Sequence, residues 1–252
     1  MKRKLELDSM DCCLPFSYDL TDPPFLVHDK NSLSSLQTYL ASITPILMAM
    51  DTERRPSPLY SSKRRNDKTE LLQLSVRDAS FNETCYILDL KSLSQDKGEN
   101  CLLLILNNAF KKAMADFNCV KIGHAIADDF REILKSYPIM TSFMSPVNVL
   151  DTNLMYLAIK PEQKQSVSLK FLTRKYLHFN LIKTQQLTDW SVRPLSPEQI
   201  HYAACDSVVL LRLYDEMMCH MEERKNDIAN VLEDEEEDDA TTSSAASVPE
   251  SI

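Results

Sequence analysis

The sequence predicts a mixed α/β domain, a sheet opened by three antiparallel strands with helices on both faces. Three observations carry this. The apolar or alternating stretches ITPILMAM, TELLQLSVRD and TCYILDL follow one another through connections lacking helical pattern. Helical and extended patterns then alternate to the end of the ordered sequence, the signature of helices packed on a sheet. Finally, 252 residues with 44% hydrophobic content suit one domain of roughly 200 residues plus tails.

Taken in order, residues 31–43 read as a helix and residues 43–50 as a buried strand running into Asp51. Residues 69–78 and 84–90 make the second and third strands, and residues 101–117 a long helix before the strand 118–125. Asp128 and Asp129 open another helix, stopped by Pro138, whose ring cannot continue it. Residues 146–153 read as a fifth strand and 168–177 as a helix. Ser196 begins an SPEQ capping box, with Pro197 in the first turn of a long final helix over residues 197–223.

Composition narrows the function classes. No run of about 18 uncharged apolar residues occurs, and the charged opening MKRKLELDSM lacks an apolar segment behind it, so neither a membrane span nor a secretory signal is indicated. The chain reads as intracellular, in nucleus or cytoplasm, with no membrane partner. Short KRK and KRR clusters permit nuclear entry without establishing it. Seven cysteines without CxxC spacing read as reduced thiols rather than disulfides or a zinc site. The net charge of −9 is concentrated in residues 233–252, which hold eight acids and no Lys or Arg. The remainder is therefore close to neutral, which leaves a polyanionic partner open. Three segments follow: an N-terminal extension over 1–29, a domain over 30–231, and an acidic tail over 232–252 expected to be disordered. Only Gly98 and Gly123 are present, so neither GxGxxG nor GxxxxGK[ST] can be written, which removes dinucleotide and P-loop chemistry.

What remains is acidic. In MAMDTERRP, Asp51 and Glu53 point to the same side of an extended chain. Two carboxylates held together need a cation or a counter-charge. A divalent ion is one answer, and neutralisation by Arg54 and Arg55 is the other. In GHAIADDF, Asp128 and Asp129 begin a helix, where one would serve as a cap. In YAACD, Tyr202 and Asp206 lie one helical turn apart, which also suits a simple hydrogen-bonded pair.

In this order, MAMDTE, GHAIADDFREIL and HYAACD resemble the three motifs of the DEDDy branch of 3'-5' exonucleases, the RNase D family, over roughly residues 30–225. The run TQQLTDWSVRPLSPEQIHYAACDSVVLLRLYDEM is similar to the stretch leading into the third motif. KTQQLTDW is most similar to the mutator/Nibbler type of RNA-processing exonuclease, with the Werner exonuclease and RNase D as more distant relatives. The resemblance implies a ribonuclease H-like fold, with Asp51, Glu53, Asp129 and Asp206 as metal-binding acids and Tyr202 as the fifth catalytic residue. It implies two ions, Mg²⁺ or Mn²⁺. Its expected substrate is single-stranded RNA or DNA with a free 3' end, RNA before DNA, with protein partners in RNA processing. Asp129 is preferred to Asp128 because the FREIL that follows matches the family's apolar spacing. Asp151, which also recurs in the family pattern, stands between strand and helix and reads as a structural cap.

The residue types suit that chemistry on their own terms. Hard carboxylate oxygens favour Mg²⁺ or Mn²⁺, and two such ions about 4 Å apart stabilise both oxygens of an in-line phosphoryl displacement. Tyrosine, with an ordinary pKa of about 10, stays protonated at neutral pH and suits orienting a water. The sequence departs from the family after Glu53, where an aromatic residue is usual. Here Arg54, Arg55 and the insertion PSPLYSSKRRNDK intervene. Its Lys63, Arg64 and Arg65, with Lys68, are expected to hold phosphates beside a stacking Tyr60, or else to form a solvated loop. Thr52, His124 and Lys183 are further expected nucleic-acid contacts, His124 alternatively a satisfied strand-end histidine. Trp190 is expected to pack its segment against the sheet. The competing reading is a catalytically inactive exonuclease-like domain that binds RNA or protein. Its sign would be a lost carboxylate, and all four are present.

Overall fold

A computed structural model of the protein describes residues 14–17, 23–54 and 68–244. Its main sheet contains β2 (Phe25–Val27), β3 (Pro45–Arg54), β4 (Thr69–Asp78), β5 (Glu83–Asp89), β6 (Val120–Gly123) and β7 (Val149–Asp151), in the spatial order β2-β5-β4-β3-β6-β7. The three long strands β3, β4 and β5 are antiparallel neighbours, as the sequence predicts. The short strands β2, β6 and β7 join them in parallel register. A separate parallel pair links β1 (Leu14–Pro15) to β8 (Phe179–Asn180).

Alternation along β3 divides the molecule into two layers. Met48 and Met50 face the core formed with α1 (Lys30–Ser42), α2 (Leu90–Leu93), α3 (Leu102–Ala115) and α4 (Ile126–Ser136). Leu47 and Ala49 face the opposite core, formed with α5 (Thr152–Ile159), α6 (Leu169–Leu177) and α7 (Pro197–Ser244). A third cluster joins Leu71 and Ile87 of the sheet to Trp190, Leu195, Tyr202 and Ala203. A six-stranded mixed sheet covered on both faces results, and among the described residues no helix is long and apolar enough to cross a membrane.

Four boundaries differ from expectation for identifiable reasons. The sheet begins at Phe25, inside the segment read as an extension, because a three-residue parallel edge strand is too short to show periodicity. Strand β3 continues to Arg54, since β4 is long enough to pair with all of it, so Asp51 and Glu53 lie within the ladder rather than after it. The fifth strand is cut to Val149–Asp151: the Asp151 carboxylate accepts a bond from Asn153 N at 2.8 Å and starts α5 where an extended chain was expected. Lastly, α7 runs on to Ser244 through the acidic run expected to be disordered. Glutamate is a good helix former, and no Gly or Pro follows Pro197 before that point. Residues 245–252 lie outside the described residues.

Candidate active site

Strand period two sends Asp51 and Glu53 toward α7, and the same alternation sends Thr52 the other way. There the Thr52 hydroxyl donates to Asp129 Oδ1 at 2.6 Å, tying the first turn of α4 to the strand. Asp51 Oδ1 accepts from the Thr52 amide at 2.9 Å. This tripeptide therefore grips acids on both sides of the sheet edge.

The approach of α4 depends on Gly123. A Cβ there would meet Ile126 Cβ at 2.7 Å and the Met50 carbonyl oxygen at 2.9 Å, so only glycine lets β6 and α4 close against β3. Asp151 sets the same corner, its second oxygen accepting from Ile126 N at 3.2 Å while its first caps α5. Its reading as a structural cap thus holds for two helix starts. Helix α4 begins at Ile126, which leaves Asp128 and Asp129 in its first turn, where negative charge is favoured. Asp128 turns outward to Arg131 at 2.5 Å, whereas Asp129 turns in.

From the other layer, the Ser196–Gln199 box starts α7, with Ser196 N donating to Gln199 Oε1 at 3.0 Å and Gln199 N to Ser196 Oγ at 3.2 Å. Tyr202 and Asp206 then face the sheet, 6% and 3% exposed. Trp190, fully buried, lies with its ring centroid 5.9 Å from that of Tyr202 and fixes it from behind. The segment carrying Trp190 is pinned by Arg193, whose guanidinium holds both oxygens of buried Asp89 at 2.5 and 2.7 Å and the Trp190 carbonyl at 2.6 Å.

The four acids lie within one another's electrostatic field. Burial first, then the charges of Asp51, Asp206 and Asp129, push Glu53 up to about 10. Burial and Asp51 push Asp129 up to about 8, and burial lifts Asp51 itself to about 6. Asp206 is raised well above the carboxylate range by burial and by Asp51. Burial and the neighbouring Asp206 and Glu53 raise Tyr202, which is therefore a phenol at any physiological pH. Lys183 supplies positive charge to this group, lowering Asp51, Glu53 and Asp206. Arg54 does not neutralise the pair on β3: it reaches Glu132 at 3.1 Å. Among the described residues no three acid, histidine or cysteine side chains stand close enough together to hold a metal ion. The donor set nonetheless fits a divalent ion, because four crowded hard-oxygen ligands with raised proton affinity are what such a cation relieves.

The remaining expected contacts fall in different places. The Thr52 hydroxyl is committed to Asp129 rather than open to nucleic acid. His124 bonds Thr152 Oγ1 at 2.8 Å through Nδ1 and stands 3.5 Å from Asn153 Nδ2, the satisfied strand-end alternative. Lys183 is half-buried beside the acids. Lys63, Arg64 and Arg65 lie outside the described residues, as do Arg55 and Tyr60. Sequence reading passed over Gln73, directly opposite Asp51 in the ladder. The signal was available: a single amide inside the apolar run LLQLSV.

A six-stranded mixed sheet carrying an acidic cluster at the end of β3 defines a ribonuclease H-like fold. Residues 24–222 match the family model described as 3'-5' exonuclease. The chain belongs to that 3'-5' exonuclease family, whose members generally use divalent metal ions. It is 33% identical over 201 residues to the exonuclease mut-7 homolog of Aedes aegypti, covering 74% of this chain and 26% of that protein. The structure of the Aedes aegypti Nibbler EXO domain superposes with a TM-score of 0.62 at 24% identity, covering 86% of this chain and 98% of that one. Escherichia coli RNase D, an exoribonuclease involved in structured RNA processing, superposes with a TM-score of 0.60 at 21% identity, covering 79% and 45%. At those identities the two structures establish the fold. The chain spans between 15% and 26% of the length of the curated relatives it matches.

Proposed function

We propose that this domain is a metal-dependent exonuclease that removes nucleotides from the 3' end of single-stranded RNA, in preference to DNA. The single observation that carries the reading is that Asp51, Glu53, Asp129 and Asp206, brought from three separate elements, share one electrostatic field around the buried Glu53 and Asp206. Nothing in the fold requires such a concentration of like charge. The RNA preference is supported by the exoribonuclease named among its structural neighbours.

Asp51 and Glu53, with Asp206 from α7 and Asp129 from α4, would hold two ions, Mg²⁺ or Mn²⁺. When bound, these supply an activated water and stabilise the leaving oxygen. The chain's own residues do the rest. Thr52 holds Asp129 in place. Asp51, the most central carboxylate, bridges the two halves of the site. Tyr202, protonated and clamped by Trp190, is hydrogen-bonded to Asp206, and its hydroxyl would orient the attacking water once a cation takes Asp206. Lys183 offsets the acidic field and would contact the phosphate backbone of an incoming strand. Outside the cluster, the domain acts in the nucleus or cytoplasm, with protein partners in RNA processing.

The test uses single-stranded RNA and DNA labelled at the 5' end, incubated with Mg²⁺, Mn²⁺ or EDTA. A ladder that shortens from the 3' end, needs metal and disappears in Asp51→Ala is the expected result. Strands bound but never shortened under any metal would favour a silent nucleic-acid-binding domain. Tyr202→Phe should slow cleavage about 10–100-fold while leaving cation affinity unchanged, since it removes only an orienting hydroxyl. Equal loss of both would contradict that role.

A further inference from the structure

Beneath the acidic cluster, Gln73 presents a second anomaly. It is fully buried on β4, and neither its amide nitrogen nor its amide oxygen has a hydrogen-bond partner among the described residues. Its position is bracketed on every side. Across the ladder it pairs directly with Asp51, so the two side chains leave the sheet on the same face with their Cβ atoms about 5 Å apart. Along its own strand, Leu71 packs with Tyr202 and Ala203, and Ser75 shares a hydrogen bond of 2.8 Å with Ser207. Gln73 therefore lies under the turn of α7 that carries Asp206.

Buried amides are almost always paired, because each unpaired group forfeits its hydration without compensation. A hydrophobic residue at this position would extend the apolar rows of LLQLSV, so packing alone does not call for glutamine. We infer that Gln73 is a positioning residue, whose amide N–H orients the Asp51 carboxylate when the four acids close around a divalent cation. The inference rests on the exonuclease reading of the site and specifies how one ligand is held. Supporting hydrogen bonds of this kind change metal affinity about 10–100-fold in well-studied sites. They do so without touching the ion.

Gln73→Met keeps length and volume and deletes the hydrogen bonds. The full chain and this variant are titrated with Mn²⁺ by calorimetry, and both are melted in EDTA. The expected result is Mn²⁺ binding weakened about tenfold or more in Gln73→Met, with an EDTA melting temperature equal to or above that of the wild type. Gln73→Leu should behave alike, guarding against an effect peculiar to the thioether. Unchanged Mn²⁺ affinity with intact wild-type binding would overturn the role of Gln73 alone. A lower melting temperature in EDTA for both variants would also overturn it, showing an amide already paired in the metal-free fold. Wild-type protein that binds no Mn²⁺ would instead sink the exonuclease reading, and this inference with it.

Discussion

Two ends of the same β4–α7 contact handle charge in opposite ways. At one end Arg77 lies between Glu83 and Asp215, donating to Glu83 at 2.7 and 2.9 Å and to Asp215 at 2.6 and 2.7 Å. Arg212 of α7 closes the network with two further bonds to Glu83, both of 2.6 Å. Every carboxylate there has a guanidinium. At the other end, Asp51, Glu53, Asp129 and Asp206 crowd together, eased by Lys183 and, at Asp129, by Arg54 among the described residues, and their proton affinities rise nonetheless. The paired end fastens the helix to the sheet. The unpaired end stores a demand for positive charge that a cation satisfies, so the fold is anchored at one place and left electrostatically incomplete at the other.

The strongest way to break this contrast is to neutralise the incomplete end. Asp206→Asn is expected to lower cleavage by at least about 10³-fold, while raising the EDTA melting temperature at alkaline pH, where this buried carboxyl would otherwise have to ionise beside the other acids; stopped-time digestion and a thermal melt check both. The opposite pattern belongs to the paired end. Arg77→Ala should cost about 2 kcal/mol of stability in a denaturant titration, since it leaves Glu83 and Asp215 without this donor, yet leave cleavage by the folded fraction nearly intact.

Acidity sharpens the comparison next. The folded-state values of about 6 for Asp51, about 8 for Asp129 and about 10 for Glu53 lie above the unfolded carboxylate range of about 4. The folded protein thus binds protons more tightly there. That contribution is complete below about pH 4 and lost as the pH rises through those folded values. Metal-free protein should therefore melt at a lower temperature near about pH 9 than near about pH 5, with the gap narrowed by Mg²⁺. A gap unaffected by Mg²⁺ would separate the acids from cation binding. The smallest effect is assigned to Arg54→Ala: its partner Glu132 is a helix residue outside the cluster, so stability should change by less than about 0.5 kcal/mol.

Much of this was legible beforehand because period-two and helical patterns report directly on long elements. The antiparallel trio and the capped start of the last helix needed no tertiary knowledge. Short elements were less legible: β2 and α5, with three and eight residues, were missed, and the three-residue β7 was read too long, because so few residues leave a pattern too weak to outweigh local context.

Of the site, the sequence by itself determined which acids share a side of β3 and which share a side of α7, since side-chain direction follows from chain geometry alone. It also determined, through its two glycines, which chemistries were impossible. Although the resemblance favoured Asp129 over Asp128, only the tertiary structure gives the reason that Asp129 turns in and Asp128 out: the Thr52 hydroxyl, 77 residues away, donates to Asp129. It alone decided that Arg54 serves Glu132 rather than the β3 carboxylates, and that Gln73 lies opposite Asp51. The physical reason is common to all three. A carboxylate's partner is set by distances of about 3 Å between residues far apart in sequence, and those distances exist only once the sheet and its two helical layers have closed.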